Sequence, residues 1–135
     1  MEIAALRRAN KLAERIGHIQ VATVGRDGVP HMTVAGKLSI NPEGLVEVTA
    51  WFCPMTVENL SMNRAISLVI WDPAADKGYQ LLGMTERLED LAYLDGYIPE
   101  QEDNVPVPQV MRKLVIRVDK ILDFRHAPHS DIEAA

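Results

Sequence analysis

The hydrophobic pattern opens with a helical stripe at the N-terminus. Apolar residues recur every three or four positions between residues 2 and 16, and charged residues fall on the opposite side. The stripe is formed by Ile3, Leu6, Ala9, Leu12, Ala13 and Ile16, and the charged side by Arg7, Arg8, Lys11 and Glu14. Gly17 is a natural helix stop. The pattern predicts an amphipathic helix that packs on something larger, and its many alanines disfavour membrane binding.

From residue 18 the apolar positions alternate with period two, which is typical of half-buried strands. Strands are predicted at 18–24, 31–40 and 45–52, separated by the turn sequences G-R-D-G-V-P (25–30) and N-P-E-G (41–44). One face of the second hairpin is apolar and predicts core: Met32, Val34, Leu38, Ile40, Val46, Val48, Ala50 and Phe52. The other face carries Thr33, Ala35, Lys37, Thr49 and Trp51, an unusually mixed set for a solvated surface.

A short helix is predicted between the third and fourth strands. Thr56 suits its N-cap, because a threonine hydroxyl accepts from unpaired amides, and Glu58 suits its first turn. The amides at such a helix end also favour a phosphate or another anion. A capped helix that only joins two strands is equally compatible with these residues.

Three further strands are predicted at 65–71, 79–88 and 111–124. The first is nearly continuously apolar, which predicts a central strand covered on both faces. We expect one or two helical turns at 89–96, a loop at 97–109 and a flexible tail at 125–135. About six hairpin-linked strands without a βαβ rhythm predict a mainly β fold: an antiparallel barrel forming one domain over residues 1–135.

Composition excludes several classes of partner. The 14 basic and 19 acidic residues give a net charge of −5, which argues against nucleic acid or an anionic membrane as the main partner. Cys53 is the only cysteine, so no intrachain disulfide forms, and no apolar run approaches the roughly 20 residues of a membrane span. The N-terminus lacks the apolar segment of a signal peptide. We therefore expect a soluble cytoplasmic protein.

No arrangement of catalytic residues stands out, so catalytic residues stay unassigned. His18, His31, His126 and His129 are dispersed, and H-A-P-H (126–129) falls short of a recognisable metal set, so no metal is expected. The sequence has no G-x-G-x-x-G motif and no phosphate-binding loop of the Walker type. Cys53 is interpreted as a buried small hydrophobe rather than a reactive thiol.

What remains is a geometric hypothesis. The mixed strand face, Thr33 to Trp51, leads straight into the helix that Thr56 is predicted to cap. The amides and hydroxyl at the helix end suit a phosphate, and the strand face suits a flat ring.

Three stretches, in this order, resemble the pyridoxamine 5′-phosphate oxidase-related split-barrel flavoproteins. They are P-H-M-T-V-A-G-K (30–37), T-A-W-F-C-P-M-T-V-E-N-L-S-M-N-R-A-I-S-L-V-I-W (49–71) and G-Y-Q-L-L-G (78–83). The T-x-x-N-L-x-x-N motif at 56–63 is the most specific part, and the resemblance covers roughly residues 15–124. It looks closest to the small FMN-binding proteins of sulfate-reducing bacteria. It implies a six-stranded split barrel, a homodimer, and FMN in clefts at the dimer interface.

The resemblance also implies roles for individual residues. Thr33, Val34 and Ala35 would line the isoalloxazine ring or the ribityl chain, and Thr49, Trp51 and Phe52 would continue the cleft wall. Thr56 would bind the phosphate, and Asn59 would brace the phosphate loop or the ribityl hydroxyls.

One position departs from the family pattern. Met55 stands where the family commonly has a basic residue, so the phosphate lacks its usual charge-assisted partner. Lys37 is the first candidate to replace that charge, ahead of Arg112 and Lys113 of a partner copy. The arginine-rich closing segment of the true pyridoxamine phosphate oxidases is absent, so oxidation of vitamin B6 is not predicted.

Three functions stay open at this point. The first is an FMN-binding flavoprotein that transfers electrons or hydride, as an electron-transfer protein or as an FMN-dependent oxidoreductase. The second is a split barrel that binds a deazaflavin or haem, which Met55 motivates. The third is a dimeric domain that has lost its cofactor.

Overall fold

The computed structural model describes residues 3–96 and 107–134. In these ranges it has two helices and seven strands. They are α1 (Ile3–Ile16), β1 (Ile19–Val24), β2 (Pro30–Ala35), β3 (Lys37–Ile40), β4 (Val46–Thr49), α2 (Pro54–Met62), β5 (Ala65–Asp72), β6 (Lys77–Gly96) and β7 (Val107–Asp123). The predicted N-terminal helix and the helix before the central strand are confirmed.

All seven strands form one antiparallel sheet in the order β2-β1-β5-β6-β7-β4-β3. β2 and β3 lie at opposite ends of this order, yet only Gly36 separates them along the chain. The sheet must therefore curl until its two ends meet. This curled antiparallel sheet agrees with the predicted mainly β class and with a split barrel.

The predicted count of six strands is wrong because the stretch 31–40 is two strands, not one. The amide of Gly36 donates to the carbonyl of Ala50 at 2.9 Å, at the point where the chain passes from one end of the sheet to the other. A Cβ on Gly36 would lie 2.9 Å from the Cβ of Ala50, so glycine permits this close approach.

The same junction overturns part of the predicted face assignment. Met32 and Val34, predicted to be core, are 57% and 58% exposed, whereas Leu38, Val46 and Val48 are buried as predicted. Ala50 has a left-handed φ of 60°, which turns the chain before Trp51. Trp51, predicted to face outward, is therefore only 2% exposed and donates its Nε1–H to the carbonyl of Val48 at 3.2 Å. Ala50 and Phe52, predicted to be core, are exposed.

α1 covers the core on one side of the sheet. Its buried residues are Ala5, Leu6, Ala9, Leu12 and Ala13, and it contacts β3, β5 and β6. The amide of Gly17 donates to the carbonyl of Ala13, and its φ of 86° ends the helix. No helix among the described residues is long and apolar enough to cross a membrane.

In the C-terminal third the structure departs from the predicted elements. Residues 89–96 continue strand β6 and pair with β7 instead of forming helical turns. The loop predicted at 97–109 lies outside the described residues up to 106, and 107–109 belong to β7. The tail, predicted to be flexible, folds back on β7: the amide of Asp131 donates to Asp123 and that of Ala134 to Ile121, both at 2.9 Å.

Candidate functional site

Helix α2 begins two residues earlier than Thr56. Cys53 is the N-cap residue, with extended φ and ψ of −122° and 104°, and Pro54 occupies the first turn. Proline suits this place because it has no amide hydrogen to leave unpaired. Thr56 is therefore inside the helix and is not its cap, and Glu58 lies beyond the first turn, which contains no acidic residue.

A group of polar side chains lies between α2 and the β1–β2 hairpin; we call it the α2 polar cluster. Its members are Thr23, His31, Thr33, Cys53, Thr56 and Asn59. Thr23 lies opposite His31 in the sheet, and Asn59 donates from Nδ2 to the hydroxyl of Thr23 at 3.1 Å. Thr56 is fully buried at 0% exposure, and neither its hydroxyl nor Nδ1 of His31 has a hydrogen-bond partner in the described chain.

The Cys53 thiol lies at the start of α2, close to the amides of Met55 and Thr56. The largest single influence on the pKa of Cys53 is partial burial, which raises it. The hydroxyls of Thr56 and Thr33 and the amides of Thr56 and Met55 outweigh it and hold the pKa below its usual value. The Thr56 hydroxyl has no hydrogen-bond partner among the described residues other than this thiol. The interpretation of Cys53 as an inert buried residue is therefore too simple.

We expect Cys53 to react with iodoacetamide at a lower pH than the same thiol in the denatured chain. The thiolate is the reactive form, and the surrounding donors stabilise it. The rate of alkylation measured against pH gives the midpoint directly. Thr56→Val and Thr33→Val should raise this midpoint, and Thr49→Val, which is not among the groups acting on the thiol, should leave it in place. A native midpoint equal to that of the denatured chain would contradict the assignment.

The predicted cleft residues separate into buried and accessible sets. Ala35, Trp51, Thr56 and Asn59 are buried, so in this conformation they hold the site in shape and do not line an open cleft. Asn59 also borders the turn that follows β1, since a Cβ on Gly25 would lie 3.2 Å from its Oδ1. The accessible residues are Val34, Lys37, Phe52 and Met55, with Thr33 and Thr49 half-buried.

Lys37 is the accessible cation of the site. It lies directly after Gly36, opposite Thr49 in the sheet, and makes no ion pair with a described residue. The other two candidates are already paired within the chain. Arg112 donates to Asp90 at 3.1 Å, and Nζ of Lys113 lies 3.1 Å from Glu89 and 3.5 Å from Glu47. Of the three candidates, Lys37 is the one without an ion pair to a described residue.

Two rows of residues on the outer side of strands β2, β1, β5 and β6, away from the core, carry no charge. Residues opposite each other in adjacent antiparallel strands share a face, and two such rows cross these four strands. The rows are Val34, Gln20, Val69 and Gln80, and Met32, Ala22, Ser67 and Leu82. A shallow apolar groove of about 300 Å³ follows this face between Ala22, Val24, Ala65 and Leu82. We refer to this surface as the outer face.

The outer face leads into the junction at Gly36. Val34 lies at its β2 edge, two residues before Gly36 and three before Lys37. An apolar surface and an unpaired cation therefore lie next to each other along the chain. The sequence pattern did not predict this arrangement because it assigned Met32 and Val34 to the core. It also did not single out Thr23, although Thr23 lies on the same buried face of β1 as Ile19 and Val21.

The described residues contain no group of three or more His, Cys, Asp or Glu side chains placed to hold a metal ion. His126 and His129 are exposed. The backbone amide of His126 donates to the carboxylate of Asp76 at 2.7 Å, so this residue helps to fix the tail.

The fold is shared with solved structures of low sequence identity. HupZ of Group A Streptococcus matches with a TM-score of 0.67 at 16% identity, covering 96% of this chain and 98% of that one. A Clostridium acetobutylicum protein of the pyridoxinephosphate oxidase family, related to general stress protein 26, matches with a TM-score of 0.63 at 21% identity, covering 95% and 93%. A pyridoxamine 5′-phosphate oxidase-related, FMN binding protein from Nostoc punctiforme matches with a TM-score of 0.63 at 11% identity, covering 90% and 82%.

Other proteins with this fold are described with different cofactors. They include an F420 reductase, with a TM-score of 0.58, and HutZ, the heme storage protein from Vibrio cholerae, with a TM-score of 0.53. No family model matches the sequence, and no curated protein matches it. At these identities the comparisons establish the fold.

Proposed function

We propose that this chain, which has the fold of the pyridoxamine 5′-phosphate oxidase-related proteins, is an FMN-binding flavoprotein that holds its cofactor at a homodimer interface. The observation that carries the proposal is the outer face: four adjacent strands present two rows without a charged residue, next to Lys37. Charged residues make up 24% of the chain, so an uncharged surface of this extent favours contact with a partner.

A second copy of the chain is the partner we propose. Val69 in the middle of this face is only 9% exposed, and the flanking side chains of Ala22, Ser67 and Leu82 are half-buried. Its polar side chains are uncharged, and Gln80 donates from Nε2 to the hydroxyl of Ser67 at 2.8 Å. An uncharged sheet face suits a self-complementary contact around a two-fold axis. The face ends at β7, where Lys120 lies opposite Leu82.

The residues around the junction suit FMN. Val34, Phe52 and Met55 offer apolar surface for the isoalloxazine ring, and Thr33 and Thr49 supply hydroxyls for the ribityl chain. Lys37 supplies a positive charge for the phosphate in place of the basic residue that Met55 replaces. The buried Trp51, Thr56 and Asn59 hold the loop from β4 to α2 in place. Bound flavin supplies electron or hydride transfer, and the chain contributes binding and access.

Titration of the cofactor-free protein with FMN, a deazaflavin and haem tests this proposal. We expect FMN to bind with a dissociation constant in the micromolar range or below, and Lys37→Gln to weaken it about tenfold, the effect of one lost charge-assisted contact. Arg7→Gln makes the same change in net charge on the exposed side of α1 and serves as the control. Equal weakening by both variants would contradict the role of Lys37.

The same titration separates the alternatives. Tight binding of haem or the deazaflavin with none of FMN would replace FMN by that cofactor, in line with the fold neighbours described as a heme storage protein and an F420 reductase. No binding of any of the three would favour a dimeric domain that has lost its cofactor. In that case Met55→Lys restores the basic residue, and a gain of FMN binding would identify the loss.

A further inference from the structure

A second, basic cleft lies between α1 and the start of β6, apart from the junction at Gly36. It has a volume of about 310 Å³ and is lined by Arg8, Lys11, Leu12, Arg15, Lys77 and Tyr79. Four of these six lining residues are cations, and none is acidic. This is unusual in a chain whose net charge is −5.

The α1 cations share one side of the helix. Arg8, Lys11 and Arg15 are spaced by three and four residues, so their side chains are neighbours on the helix surface. Like charges at these spacings repel each other and disfavour the helix. Lys77 adds a fourth positive charge from β6. Positive charges gathered around one cleft create a positive potential there, and this potential favours the binding of an anion.

Neutralisation within the chain is incomplete. Arg15 donates to Asp72 at 3.0 Å, and the carboxylate of Asp72 also accepts from the amides of Ala74 and Ala75, which lowers the pKa of Asp72. Lys11 and Lys77 make no ion pair with any residue in the described ranges. Two charges in the cleft therefore stay available for a ligand.

The cleft floor restricts what the ligand can be. Leu12 and Tyr79 are almost fully buried and form an apolar base, so the charges stand around the rim. The apolar side of α1 is packed on the sheet, which leaves no hydrophobic helix face for insertion into a bilayer. A compact molecule with several negative charges fits this combination better than a membrane surface does.

We propose that this cleft binds a small soluble polyphosphate group, either free or as part of an organic phosphate ester, with Lys11 and Lys77 as the principal contacts. The site is independent of flavin binding, because none of its residues belongs to the junction at Gly36. Its occupancy stabilises α1 against the sheet, because the bound anion bridges Lys11 of α1 and Lys77 of β6.

Calorimetric titration of the full chain with pyrophosphate tests the proposal, supported by amide shifts in α1 by NMR. We expect saturable binding that weakens as salt is raised, and about tenfold weaker binding in each of Lys11→Gln and Lys77→Gln. Lys120→Gln removes the same charge from β7 where the outer face ends, opposite Leu82 and on the other side of the sheet from α1, and should leave the affinity unchanged. FMN binding by Lys11→Gln should equal that of the native protein, which separates this test from the flavin test.

Three outcomes would overturn the proposal. One is no saturable binding of pyrophosphate at millimolar concentration. Another is equal weakening by Lys11→Gln and Lys120→Gln, or the same amide shifts with chloride at matched ionic strength, since either indicates general screening only. The third is binding to vesicles of anionic lipid without binding of pyrophosphate, which would assign the cleft to a membrane surface.

Discussion

Replacing Met32 and Val34 together by aspartate is expected to convert the protein to a monomer and to remove most of its FMN binding. Both side chains are more than half exposed on the outer face, so the isolated chain can fold with aspartate at either position. In a dimer, each carboxylate would be taken out of water without a partner, which costs several kcal/mol. We expect the dimer dissociation constant to rise by about a hundredfold or more.

Sedimentation velocity over a range of concentrations measures this change, and circular dichroism checks that the variant is folded. Ile132→Asp is the matched control because Ile132 is also an exposed apolar residue, 52% exposed, but lies in the tail that pairs with β7. A folded double variant that dimerises as well as the native chain would remove the outer face from the interface.

Replacing Gly83 by alanine is expected to lower the free energy of unfolding by about 3 kcal/mol or more. A Cβ at this position would overlap the backbone carbonyl oxygen of Arg117, and it would lie 3.0 Å from the Cα of Val118. These are backbone atoms of the paired strand, so no side-chain rotation relieves the clash. The register of β6 and β7 also shifts at this residue, and the long hairpin depends on the close approach.

Urea denaturation of the two alanine variants Gly83→Ala and Gly28→Ala distinguishes crowding from backbone strain. Gly28 has a φ of 79° with nothing near its Cβ position, so alanine there should cost only about 1 kcal/mol. Equal losses of stability in the two variants, or none at Gly83, would show that the hairpin can relax around a methyl group.

Most of the fold could be predicted from the period of the apolar residues. The 3.6-residue stripe gave α1, and alternation located β1, β4 and β5 to within about one residue at most ends. The division at Gly36 could not be read from alternation, because β2 and β3 are adjacent in sequence but lie at opposite ends of the sheet. The helical turns predicted at 89–96 failed because pairing with β7 overrides local propensity there.

The sequence predicted which segments come together at the site, but not the orientation of every side chain there. The loop from β4 to α2 and strand β2 do come together, as the mixed strand face suggested. Ala50 adopts a left-handed φ, which non-glycine residues rarely do, and this reverses the faces of Trp51 and Phe52. The sequence also could not show that Cys53, and not Thr56, is the N-cap residue, because Pro54 fits either a turn or the first position of a helix.

Sedimentation of FMN-saturated protein, followed at the same time in the flavin band and in the protein band, tests the central claim most directly. We predict one boundary with both signals, at twice the 15.0 kDa mass of the chain, with one FMN for each subunit. Flavin that sediments as the free molecule, or that accompanies a 15.0 kDa monomer, would contradict a flavoprotein with its cofactor at a homodimer interface.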